Sequence, residues 1–94
     1  MNHLTYRIYD GFKMTLSGGP DPDYPSMRLT GQIDSMGVDI WECDILMRGK
    51  ARGVVEYDDL TRRFLIRFGR ETVELNEGAA FTVVGNAFEH PSLT

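Results

Sequence analysis

Residues 30–46 read TGQIDSMGVDIWECDIL, and the fold of the chain turns on how this stretch is parsed. It opens with a polar turn at Asp34, Ser35 and Gly37. It then runs into the densest apolar segment of the chain, Val38, Ile40, Trp41, Ile45 and Leu46, interrupted by two carboxylates, Glu42 and Asp44. One unbroken strand would place Trp41, Cys43, Ile45 and Met47 on one face and Ile40, Glu42, Asp44 and Leu46 on the other, because side chains alternate along an extended chain. Two carboxylates between two aliphatics on one face make a poor surface to bury. The stretch is therefore read as two strands with a bend near Cys43, where Glu42 and Asp44 accept backbone N–H groups and lock the turn.

Upstream, Leu4, Tyr6 and Ile8 alternate with Thr5, Arg7 and Tyr9, the period of a strand. Asp10-Gly11 predicts a tight hairpin, since Gly tolerates the positive φ of a type I′ turn, with Phe12, Met14 and Leu16 on the return strand. SGGPDPDYP, residues 17–25, holds two glycines, three prolines and two aspartates and predicts a surface loop, with Tyr24 as an adaptable contact. Met27, Leu29 and Ile33 begin a further strand, broken at Gly31. Downstream come a basic turn from Gly49 to Gly53, a strand through Val54, Val55 and Tyr57, and a loop from Asp58 to Arg62. Phe64, Ile66 and Phe68 return, Gly69 ends them, and short strands follow at Val73–Leu75 and at Phe81, Val83 and Val84. Apolar residues nowhere keep a helical period.

About seven short strands at this spacing predict an all-β domain, a small SH3-like or related β-barrel. The expected core is Ile8, Phe12, Leu29, Ile40, Trp41, Ile45, Val55, Phe64, Ile66, Phe68, Val73, Val83 and Phe88.

At 94 residues and 10.7 kDa the chain is read as a single domain over 1–94, long enough to bury roughly 60–65% of its unfolded surface. A lone Cys43 excludes an internal disulfide. With His3 and His90 at opposite ends, no zinc set assembles locally. No apolar run approaches the length of a membrane span and no signal-peptide pattern opens the chain. A cytoplasmic protein with no membrane partner is expected. The net charge of −4 and pI near 5.0 argue against wholesale binding to nucleic acid. The charge is uneven, however. Arg48, Lys50, Arg52, Arg62, Arg63, Arg67 and Arg70 are seven of the ten basic residues and share one segment with only Glu56, Asp58 and Asp59.

That segment is the candidate binding face. Arg63, Leu65 and Arg67 face away from Phe64, Ile66 and Phe68. Either Glu56 and Asp58 pair with these arginines into a solvated ladder, or the cations converge with Arg48, Lys50 and Arg52 on a phosphate-tracking surface. Glu42 and Asp44 are the one candidate pair for acid–base catalysis, but no nucleophile, histidine or metal set accompanies them. Cys43 between two carboxylates has a disfavoured thiolate, the reverse of an activated nucleophile. No G-x-S-x-G, G-x-x-x-x-G-K or G-x-G-x-x-G pattern occurs. No catalytic, metal or cofactor residue is assigned.

Several stretches together resemble the YopX family of phage and prophage proteins. Residues 30–46 are similar to its signature T-G-x-x-D-x-x-G-x-x-I-[aromatic]-E-G-D-I-V, with Thr30, Gly31, Asp34, Gly37, Ile40, Trp41, Glu42, Asp44 and Ile45 in register. Gly53 to Asp58 resembles the family's G-V-V-x-Y-D. Val84 to Pro91 resembles its closing [IV]-G-N-[IV]-[aromatic]-E-N-P, through Gly85, Asn86, Glu89 and Pro91. Arg7-Ile8-Tyr9-Asp10 with Lys13-Met14 is similar to its opening. The chain departs twice: Cys43 stands where the family prefers Gly, and His90 where it has Asn. The resemblance implies a YopX-like, mostly β, phage-encoded protein of unassigned activity. The expected function is non-enzymatic: contact with a host or phage protein, as a regulator or inhibitor of host machinery, with self-association through open strand edges. The alternative is a nucleic-acid-binding accessory protein using the basic face.

Overall fold

A computed structural model of the chain describes residues 4–94; His3 lies outside the described residues. Nine strands follow one another: β1 (Tyr6–Tyr9), β2 (Met14–Ser17), β3 (Ser26–Ile33), β4 (Asp39–Trp41), β5 (Asp44–Arg48), β6 (Ala51–Asp58), β7 (Arg63–Phe68), β8 (Glu71–Glu74) and β9 (Thr82–Asn86). Two short 3-10 turns, Gly78–Ala80 and Pro91–Leu93, flank β9, and there is no α-helix among the described residues.

The strands form two antiparallel sheets, a four-stranded one in the order β2-β1-β3-β4 and a five-stranded one in the order β8-β7-β6-β5-β9. The all-β expectation holds. The small SH3-like or related barrel and the count of about seven do not: there are nine strands, and the two sheets do not close on each other. Closure requires edge strands to pair, whereas β4 pairs only with β3 and β9 only with β5. Side chains and loop backbone, not a strand ladder, join those two edges.

The parse of residues 30–46 decides this architecture. β4 ends at Trp41 in one sheet and β5 begins at Asp44 in the other, so the chain changes sheets across Glu42-Cys43. Cys43 sits at φ +69, the left-handed conformation that a side chain resists and that makes the bend sharp. In β3, Gly31 also has positive φ (+83) and lies within the register shift between Leu29 and Ile33. The break expected at Gly31 is thus a bulge inside one continuous strand.

The main core lies between the sheets: Ile40, Leu46, Val55, Ile66, Leu75 and Phe81, with Phe64, Phe68 and Val83 packed against it. Each fully buried aliphatic there contributes on the order of 2 kcal/mol by leaving water. β5 is buried on both faces at Asp44, Ile45 and Leu46. Leu46 points into the main core. Ile45 points the other way, beside Gly85, its partner on β9. A Cβ at Gly85 would lie 2.8 Å from His90 Nδ1, so the segment after β9 packs closely on Gly85 at this outer side.

Two expected core residues are outside. Phe12 is 93% exposed because the β1–β2 loop runs from Asp10 to Lys13, longer than a two-residue turn. Asp10 Oδ1 accepts the N–H groups of both Phe12 and Lys13 at 2.9 Å, which holds Phe12 in the loop. Val73 is 42% exposed because β8 is an edge strand. Met27, Leu46, Leu75 and Phe81 take buried places that alternation alone did not assign to them.

Candidate functional site

The residues of the family signature converge on the strip where the two sheets meet. Asp34 is its first hub and is 3% exposed. Its Oδ1 accepts the N–H groups of Met36 and Val38, both at 2.8 Å, closing its own turn together with Gly37, whose N–H donates to Asp34 O. Its Oδ2 reaches across to accept the N–H of Val83 on β9 at 2.9 Å. Ser35 adds a backbone bond to Phe81 O and a hydroxyl contact of 2.7 Å with Thr82. Burial pushes the Asp34 carboxyl up, but the N–H donors of Val83, Val38 and Met36 together outweigh it and hold it below its ordinary value of 3.8.

The bend is the second hub. Glu42 Oε1 accepts the backbone N–H of Arg28 at 3.0 Å, and Glu42 N–H donates back to Arg28 O. Asp44 Oδ2 accepts the N–H of Trp41 at 2.8 Å. Both carboxylates therefore serve the backbone. Cys43 N–H donates to Val55 O and Cys43 O accepts from Ala87 N–H, so the bend is bonded to β6 and to the segment after β9. Thr30 Oγ1 donates to Ile40 O at 2.7 Å. Burial first, then Glu42, pushes the Cys43 thiol up to about 11, so desolvation outranks the neighbouring charges.

Sequence reasoning missed Arg7. Alternation set it beside Thr5 and Tyr9 as an outward residue of β1, yet its side chain is only 11% exposed and its guanidinium lies 2.7 Å from Asp44 Oδ1. It also approaches Met27 Sδ and Glu42 O at 3.4 Å and sits 5.6 Å from the centre of the Trp41 ring. The contact with Asp44 is close but not along an N–H direction, which leaves Asp44 Oδ1 and Arg7 Nε without an aligned partner. Burial raises the Asp44 carboxyl above its ordinary value despite the opposing charge of Arg7. The one signal for Arg7 was its place in the family-like opening, Arg7-Ile8-Tyr9-Asp10.

The third hub is Asn86, 6% exposed. Its Oδ1 accepts the N–H groups of Phe88 and Glu89, and its Nδ2 donates to Glu89 Oε1 at 2.8 Å. His90 Nδ1 accepts the Asn86 N–H at 3.2 Å, and Pro91 opens the final 3-10 turn. An Asn at position 90 presents Oδ1 at the same remove from the backbone. The departure from the family pattern therefore substitutes one acceptor for another.

The candidate basic face is dispersed. Arg67 pairs with Glu56 at 2.9 Å and Arg63 with Glu74 at 3.0 Å, both in the open. The Glu56 carboxylate holds the Arg67 guanidinium above its ordinary value. Arg62 lies in the β6–β7 loop, at the far end of the sheet from the β5–β6 and β7–β8 turns that carry Lys50 and Arg70. Arg48 and Arg52 sit near that second end, so the seven cations form no single surface. Among the described residues, no group of three metal-ligating side chains occurs and no helix is long and apolar enough to cross a membrane.

Two antiparallel sheets, pinned at their meeting strip by Asp34, the Glu42–Asp44 bend and Asn86, define a compact all-β module whose signature residues mainly build the scaffold. The chain belongs to the YopX family, whose model, described as YopX protein, matches residues 5–94. No curated protein matches it in sequence.

Proposed function

We propose that the chain is a small phage- or prophage-encoded interaction protein that acts without catalysis, as a regulator or inhibitor of host machinery in the host cytoplasm, through protein–protein contacts and self-association. The observation that carries this reading is the engagement of Glu42 and Asp44. Each has an oxygen occupied by a backbone N–H and Asp44 is 1% exposed, which leaves no free carboxylate pair facing a substrate. Exposed apolar side chains support contact with other proteins: Leu16 on the open strand β2, and Ile33, Met36 and Val38 around the β3–β4 turn. Open edges at β2 and β8 suit pairing with a second copy. The nucleic-acid reading loses Arg63 and Arg67 to ion pairs.

The test is an affinity pull-down of the tagged protein from lysate of its bacterial host, with and without nuclease, with molar mass from light scattering. A protein partner that survives nuclease supports the reading. Recovery of nucleic acid alone, lost on nuclease treatment, overturns it.

A further inference from the structure

We propose that one end of the five-stranded sheet is a docking site for an acidic segment of a partner protein, which inserts one large apolar side chain between Phe68, Val73 and Phe81 while its carboxylates meet Arg48. The inference rests on the interaction reading above and gives it a location and a partner chemistry.

Register builds the site. Arg48 opposes Ala51, Phe68 opposes Glu71 and Ile66 opposes Val73, so Arg48, Ala51, Phe68, Glu71 and Val73 stand on the same face as core residue Ile66. With Phe81 they line a pocket of about 290 Å³ at the end of the core. That size is at the bottom of the range for small-ligand pockets, roughly 300–1,000 Å³, and suits a single inserted side chain. Val73 is 42% exposed, an aliphatic left in water on a strand otherwise made of Glu71, Thr72 and Glu74.

Charge selects the occupant. The Arg48 guanidinium lies 6.0 Å from the centre of the Phe81 ring and takes part in no ion pair among the described residues. The β5–β6 and β7–β8 turns, which carry Lys50 and Arg70, reach the same end, where Glu71 is the one carboxylate lining the pocket. In a chain of net charge −4 this end is a local excess of cations. An acidic segment is attracted here, and the place of Arg48 on the pocket rim orients its carboxylates.

A protein segment fits better than a single-stranded nucleic acid. Stacking of bases needs an open aromatic face. Phe81 is 8% exposed, stacked on Phe68 at 6.2 Å and overlain by Arg48, so its ring is already occupied. The pocket offers an apolar slot with a charged rim, the anatomy of a small protein–protein contact.

The experiment is fluorescence anisotropy of the intact protein with a short labelled peptide of Asp and Glu around one Phe. Controls are the same peptide with Ser for Phe and a labelled oligothymidylate. The expected result is binding that weakens with salt and weakens about tenfold for the Ser peptide, for Ala51→Glu and for Arg48→Ala, a tenfold change being 1.4 kcal/mol. Arg63→Ala, on the opposite face, leaves it unchanged. Ala51 and Arg48 are exposed, and circular dichroism confirms that each variant is folded. Equal binding of the Phe and Ser peptides overturns the proposal, as does indifference to Ala51→Glu. Absence of peptide binding, or tighter binding of the oligothymidylate, overturns it too. If a partner from the pull-down still binds Ala51→Glu, the docking site falls while the interaction reading stands.

Discussion

Two arginine–carboxylate pairs of nearly equal length sit in opposite surroundings. Arg7–Asp44, at 2.7 Å, crosses from β1 in one sheet to β5 in the other, and its side chains are 11% and 1% exposed. Arg67–Glu56, at 2.9 Å, lies along the outside of the five-stranded sheet, with half of Arg67 in water. Coulomb attraction at such a distance is strong only where water is excluded, and there the lost hydration of both ions opposes it. The buried pair is therefore costly to break, and the exposed pair is nearly free to lose. The contrast separates the strip between the sheets, where charge is structural, from the outer face, where charge is available to solvent and partners.

The sharpest way to break this contrast is Asp44→Ala. It strands Arg7 and removes the acceptor of the Trp41 N–H, and a loss of about 4 kcal/mol is expected in denaturant unfolding. The double replacement Arg7→Met with Asp44→Leu should recover a large part of that loss. A recovery of nothing would show that the Trp41 bond, not the ion pair, holds the strip. Next is Asp34→Ala, which leaves the N–H groups of Val83, Val38 and Met36 without their acceptor and should cost about 3 kcal/mol. Its carboxyl is held below 3.8 in the fold. Its contribution is therefore complete above 3.8 and is lost as pH falls below that value towards the lower folded pKa. The stability gap between the native chain and Asp34→Ala should accordingly shrink in acid.

Asp44 works in the other sense. Its raised pKa means that the fold takes up the proton before the unfolded chain does, so its ionised form opposes folding at neutral pH and that opposition lifts on acidification. A smaller effect is expected for Cys43→Gly. Relief of the left-handed φ outweighs the added freedom of the unfolded chain by about 0.5 kcal/mol, read as a higher unfolding midpoint. A lower midpoint would mean that packing of the half-buried thiol dominates. The smallest effect belongs to the outer face. Glu56→Ala and Glu74→Ala should leave the midpoint unchanged, and added salt should not alter that result.

The bend was legible in the sequence because its signal is local. Carboxylates at positions 42 and 44 conflict with strand alternation, and a turn that uses them resolves the conflict. The hub at Asp34 was legible in half, since an Asx turn is a local device whereas its bond to Val83, 49 positions away, is not. The division into two separate sheets was illegible for the same reason, because strand order depends on which distant edges meet. Arg7 was hidden by its own strand. Period-2 patterning assigns a face to a residue but does not say that the face meets a buried acid. The dispersal of the seven cations likewise follows from strand order, which separates Arg62 and Arg70 to opposite ends of one sheet although they are eight positions apart in the chain.

The position of β9 carries a consequence for the order of events in folding. Strands β5 to β8 form a meander in which each pairs with the next, so those contacts close short loops. β9 instead returns to β5, with Asn86 opposite Asp44. Closing that loop costs more chain entropy than any neighbouring pairing in the meander. On a ribosome, the free edge of β5 stays unpaired until residue 86 has left the exit tunnel. The nascent chain therefore passes through a stage in which its most buried strand is its most adhesive surface.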